Sequence, residues 1–154
     1  MTTLQTMATE ASEHGSAMAV PDGSYLLSAA MDDALRGACG APARGADGVA
    51  HPAFAFVMAL GGMGVDVATL CARFGLPFDT GAMLGRCRLR YARPLAVDVR
   101  YLVQARLVTR QRKPSRRFGA AEHLTLAMAL SCAGVLHAEV ELTMIVPLRL
   151  AGAA

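Results

Sequence analysis

The chain of 154 residues has no tryptophan, and aromatic residues of all kinds make up 5% of it. A surface that stacks nucleobases needs aromatics interleaved with basic residues, so nucleic-acid binding is not expected. The net charge of +3 is too mild to argue otherwise. Charged residues are scarce as well, at 18% against 54% hydrophobic, which excludes a disordered chain. Cysteine is limited to Cys39, Cys71, Cys87 and Cys132. They are widely spaced, with no Cys-x-x-Cys and no histidine pair at ligand spacing, so no disulfide framework and no metal site is expected; all four read as buried thiols. Nothing calls for a cofactor. The first twenty residues place Glu10, Glu13 and His14 where a signal peptide needs a basic start and an apolar run, so a cytoplasmic protein is expected. The longest nearly uncharged stretch, Val49 to Leu70, carries His51, Asp66 and a Gly61-Gly62 pair, and reads as a buried helix rather than a membrane span.

The length suits one domain with a real core. Residues 1–23 are polar and small, without a sustained period, and are expected to form a flexible arm; residues 24–150 form the single domain. Ser24 to Leu35 reads as a short helix or as a strand plus helix, and Arg36 to Val49 as a Gly-Ala-Pro-rich loop. Pro52 suits the first turn of a helix, where its missing N–H costs nothing. That helix is expected to run to about Gly75, stopped by Pro77, with Gly61, Gly62 and Gly64 admitting a close neighbour. Strands follow at Gly85–Tyr91, Val97–Thr109, Glu122–Ser131 and Val135–Val146. A basic loop, Arg110 to Arg117, and a tight turn at Cys132-Ala133-Gly134 join them. The fold class is therefore α+β, one helix followed by an antiparallel meander.

Three segments carry a family resemblance. They are His51-Pro52-Ala53-Phe54-Ala55-Phe56 opening the helix, Leu89 to Asp98 around Arg93-Pro94, and Gly134 to Glu139 followed by Thr143 to Pro147. Residues 51–147 resemble a hotdog domain, a curved antiparallel sheet wrapped around a long central helix, and within that superfamily the MaoC-like hydratases and dehydratases. The resemblance implies an acyl thioester of coenzyme A or a carrier protein as substrate. It also implies pairing with a second hotdog domain, as homodimer or heterodimer, and reversible addition of water across an enoyl thioester. The family's Asp-x-Asn-Pro-x-His motif is absent from the matching window, Leu27 to Leu35, which offers only Asp32 and Asp33.

Water addition needs an acid–base group and a donor facing the thioester oxygen. His51, with Asp32, Asp33 or Asp47 beside it, is the candidate acid–base set; a helix cap is the competing role for His51, and turn chemistry for Asp47. Asp66 is the candidate base of a thioesterase, because a buried helix has little reason to carry a lone carboxylate. Pro52, Ala53 and Phe54 at the helix start, Gly61 and Gly62 beside a tunnel, and Tyr91 are candidate substrate contacts. Arg112, Lys113 and Arg116 are candidates for coenzyme A phosphates or an acidic carrier, against the alternative of a solvated hairpin tip. Three functions stand open: hydro-lyase, thioesterase, and a catalytically degenerate subunit that binds an acyl ligand or an active partner.

Overall fold

The computed structural model describes residues 20–148. Residues 1–19 of the expected arm lie outside them. The chain is already packed at Val20, which is buried, and the Pro21 carbonyl accepts the Gly64 amide.

Strand β1 (Gly23–Leu27) leads into helix α1 (Ala29–Cys39). Ser28 caps α1 by accepting the Met31 amide on its hydroxyl, and Gly40 closes the helix in the left-handed conformation with φ of 67°. Strand-plus-helix is thus the form that Ser24 to Leu35 takes. A loop then reaches α2 (Phe54–Gly61).

The expected long helix is two short ones. α2 ends at Gly61, and α3 (Val67–Arg73) begins afresh with Asp66 as its cap. The cause is crowding at the junction. A Cβ on Gly62 would lie 2.6 Å from Val103 Cγ2, and one on Gly64 would lie 2.6 Å from the Asp22 carbonyl oxygen. The chain bends where a Val103 methyl and the Pro21–Asp22 backbone press against it, an approach that only glycine permits. Gly75, with φ of 67°, and Pro77 end α3 as expected, and a 3-10 turn (Phe78–Thr80) follows.

The remaining strands are β2 (Met83–Tyr91), β3 (Val99–Ser115), β4 (Gly119–Cys132) and β5 (Val135–Leu148). All pairs are antiparallel, in the order β1-β3-β4-β5-β2. Alternation sets the faces. Tyr101 and Val103, with Leu124 to Leu130 and Ala138 to Val146 at every second position, are buried on the inner face. Phe54, Ala55, Met58 and Ala59 of α2 join the same core, each large side chain worth about 1.5–3 kcal/mol of burial.

The expected basic loop is mostly strand. β3 continues to Ser115 and the turn is confined to residues 116–118. A bulge between Leu107 and Thr109 shifts the alternation by one residue. It places Arg110 and Arg112 opposite Leu124 and Glu122, on the inner face. At the other hairpin, Ala133 and Gly134 both have positive φ, 49° and 74°, the conformation of a two-residue type I′ turn.

Candidate functional site

Asp32 sits in the first turn of α1 with its side chain fully buried. Its carboxylate accepts the His51 amide at 2.6 Å, Arg36 Nε at 2.7 Å and Arg44 Nη1 at 3.0 Å. Arg36 also donates from Nη1 to the Pro42 carbonyl and from Nη2 to that of Val49. Arg44 reaches the Ala29 carbonyl and the exposed Asp33. The cluster ties α1, the loop and the start of α2 into one unit. Burial alone would raise the Asp32 pKa; the His51 amide, Arg36 and Arg44 outweigh it and hold the carboxyl below its ordinary value.

His51 meets Asp32 through its backbone, not its ring. The imidazole Nδ1 accepts the Ala53 amide at 3.2 Å, which leaves the proton of the neutral ring on Nε2. The Phe54, Ala55 and Phe56 amides donate to the carbonyls of His51, Pro52 and Ala53. The opening turn of α2 therefore uses its own amides. Asp47 does not orient the imidazole: its Oδ1 accepts the Val49 amide in an Asx turn.

Beside this turn lies an open groove of about 340 Å³ lined by Val49, Pro52, Tyr91, Arg93, Pro94 and Leu95, among others. The Tyr91 hydroxyl donates to the Pro52 carbonyl and joins the end of β2 to the start of α2. Burial, and then the neighbouring Cys87, raise the Tyr91 pKa, so the hydroxyl stays a donor. Behind the groove, His137 Nδ1–H donates to the Pro94 carbonyl at 3.0 Å, and its ring meets Tyr101 edge-on at 5.2 Å. The Tyr101 hydroxyl in turn accepts the Ala96 amide.

Asp32, Asp33, His51, Pro52, Ala53 and Tyr91 are thus brought together around one turn. Phe54 points into the core, 3% exposed. Gly61 and Gly62 face Tyr25 and Val103 at contact distance, so side chains fill the space beside them. Asp66 is not on a buried helix: it is exposed, and its carboxylate accepts the Thr69 amide, which lowers its pKa. Arg112 lies thirteen residues along β3, about 40 Å from its start at strand rise. Arg112 is bound to the buried Glu122 at 3.0 Å, and Lys113 and Arg116 are exposed beside it. The cysteines are free, but only Cys71 is buried; Cys39 is exposed at the last residue of α1, and Cys87 on the edge strand β2. Among the described residues, no group of histidine, cysteine, aspartate or glutamate could hold a metal ion.

Arg36, Arg44 and His137 complete the site without having been singled out in the sequence. Arg36 had a local signal, four residues after Asp32 on the same helix face. Arg44 had none, being held by the course of a loop. His137 reads in sequence as a surface or hydrogen-bonded sheet residue; it is hydrogen-bonded, and the path of the β2–β3 connection brings its partner Pro94 to it.

No family model matches the chain, and no curated protein matches it in sequence. Solved structures do. The HadBC (3R-hydroxyacyl-ACP dehydratase) complex of Mycobacterium tuberculosis aligns at a TM-score of 0.60 and 14% identity, over 83% of this chain and 96% of that one. The ChsH1-ChsH2 complex of the same organism aligns at 0.55 and 19%, over 87% and 89%. A thioesterase of Thermus thermophilus, solved with coenzyme A and zinc, aligns at 0.56 and 13%, over 89% and 83%. At such identities the likeness is one of architecture. The chain has the hotdog fold, with its central helical segment broken in two. No helix among the described residues is long and apolar enough to cross a membrane.

Proposed function

We propose that the chain is an acyl-thioester-binding hotdog subunit that serves a second hotdog chain in a MaoC-like hydration or dehydration. The substrate class is an enoyl or 3-hydroxyacyl thioester of coenzyme A or a carrier protein, in the cytoplasm. The observation that carries this reading is the state of Asp32. Of the two carboxylates in the window that matches the family's motif, Asp32 is buried, held by two arginines and an amide, and hydrogen-bonds no imidazole, while Asp33 is exposed and paired with Arg44. A general base must reach its proton and return it, and Asp32 is committed to structure. The amides at the start of α2, where an oxyanion donor is expected, likewise have acceptors. The groove between Pro52, Tyr91 and Arg93 offers a ligand apolar walls, one exposed guanidinium, and an open side. Two of the similar structures are complexes named for more than one component, which agrees with a shared site.

Turnover and binding decide the matter. The purified chain is incubated with crotonyl and 3-hydroxybutyryl coenzyme A while enoyl absorbance and free thiol are followed, and binding is measured by calorimetry. Binding that Arg93→Ala weakens, with both chemical signals silent, is the expected result. Hydration that His51→Ala abolishes would establish a self-sufficient hydro-lyase instead. Thiol release would move the function to a thioesterase.

A further inference from the structure

β2 is an open edge. One side of it pairs with β5, and no described strand pairs with the other. Its outer face repeats one residue type: Arg86, Arg88 and Arg90 lie across from Thr143, Glu141 and Glu139 of β5. Its inner face is apolar, with Cys87, Leu89 and Tyr91 across from the buried Leu142, Val140 and Ala138. That apolar row is short of cover, since Cys87 is exposed and Tyr91 is 41% exposed. Leu84, 54% exposed and across from the buried Met144, extends it. Unpaired backbone groups above an uncovered apolar row are what an added strand would satisfy.

Charge selects whose strand it is. A second copy of this chain, related by a two-fold axis normal to the sheet, would set β2 antiparallel to β2. Residues directly opposite share a face, so the register slides only in steps that keep outer residues against outer residues. Centred on Arg88, the pairing puts Arg88 against itself and Arg86 against Arg90. Centred on Cys87 or Leu89, it still puts Arg86 against Arg88, or Arg88 against Arg90. Like charges directly opposite are destabilising. The nearby glutamates offset this only in part, and Arg88 already lies 3.7 Å from Glu141.

We propose that β2 takes the edge strand of a different chain, one that carries Asp or Glu at alternate outer positions and apolar residues at inner ones. This rests on the subunit reading and names its partner's chemistry. The incoming strand would run beside Tyr91, whose hydroxyl holds Pro52, and so border the open side of the groove.

The probe is a charge-reversed copy of the full chain, R86E/R88E/R90E, mixed with the wild-type chain and read by native mass spectrometry and sedimentation velocity. The mixed pair is expected to be about tenfold tighter than the wild-type self-pair and to weaken as salt rises. A neutral copy, R86Q/R88Q/R90Q, should self-associate about tenfold more tightly than the wild type. It decides the question by itself if circular dichroism shows that the reversed copy does not fold. A wild-type chain that self-pairs as tightly as the neutral copy at every salt concentration overturns the proposal. The thioester assay on the same samples keeps the two readings apart. Turnover by the isolated chain overturns the subunit role while leaving the edge result standing; silence without charge-dependent pairing overturns the edge assignment alone.

Discussion

Asp32 and Glu122 are the two buried carboxylates among the described residues, and each is gripped by two arginines. Their settings differ in reach. Glu122 joins Arg110 and Arg112 across one hairpin, between residues that the strand register already places side by side. Asp32 joins the first turn of α1 to Arg44 in the loop and to the His51 amide, nineteen residues away. The arginines differ too: those on Glu122 are 34% and 66% exposed, those on Asp32 14% and 17%. Chemically similar ion pairs therefore do different work. One trims a solvent-facing hairpin, while the other holds the frame of the candidate site.

Asp32→Asn is expected to have the largest effect, about 3 kcal/mol of lost stability in urea denaturation, because it leaves two largely covered guanidiniums without their counter-charge. The pH dependence follows from the lowered pKa of Asp32. A folded carboxyl below the unfolded value of about 3.9 contributes fully above that pH and loses its contribution as pH falls through the folded value. The stability gap between wild type and Asp32→Asn should therefore be constant from about pH 5 to 7 and narrow below about pH 4. A gap that does not change with pH would mean that Asp32 acts by packing rather than by charge.

Glu122→Gln is expected to cost less, about 1 kcal/mol, since water can replace the lost partner of Arg110 and Arg112. Equal costs for the two substitutions would erase the distinction between frame and trim. Thioester binding in the groove sharpens it further. Asp32→Asn should weaken binding through the loosened His51–Pro52 turn, and Glu122→Gln should leave it unchanged.

The same contrast marks what the sequence made legible. The strands and the β3-β4-β5 part of the expected meander were readable because alternation is local: the inner row from Tyr101 to Leu107 and the outward Glu139 and Glu141 follow from a period of two. The crossing of β2 to the far side of β5, in place of pairing with β3, was not readable, because a period does not say which strands are neighbours. The Pro52 turn and the stop at Gly75 and Pro77 were readable because proline and glycine act on their own backbone. The break in the helix was not. Gly61, Gly62 and Gly64 signal close approach, yet only the position of Val103 and Pro21 turns that approach into a bend. The bulge after Leu107 was also hidden, and with it the inward turn of Arg110 and Arg112. At the site, the Asp32–Arg36 spacing is a helix signal, whereas Arg44 reaches Asp32 along a loop that has no period to read.

Arginine-to-lysine exchanges test the contrast at its smallest. Arg36 uses three separate nitrogens, on Asp32, on the Pro42 carbonyl and on the Val49 carbonyl. An ammonium is one point of charge on a flexible stem and cannot span three acceptors set around a planar fork. Arg36→Lys should therefore cost about 1 kcal/mol, mostly through the two loop carbonyls it leaves unpaired. Arg112 gives Glu122 a single Nε contact, and its side chain is 66% exposed. A lysine there can reach the same carboxylate, so Arg112→Lys should change stability by less than about 0.5 kcal/mol. Hydrogen exchange adds a local readout. The Val49 and His51 amides should exchange faster in Arg36→Lys, because the loop that they anchor is released, while Arg112→Lys should leave both rates at their wild-type values.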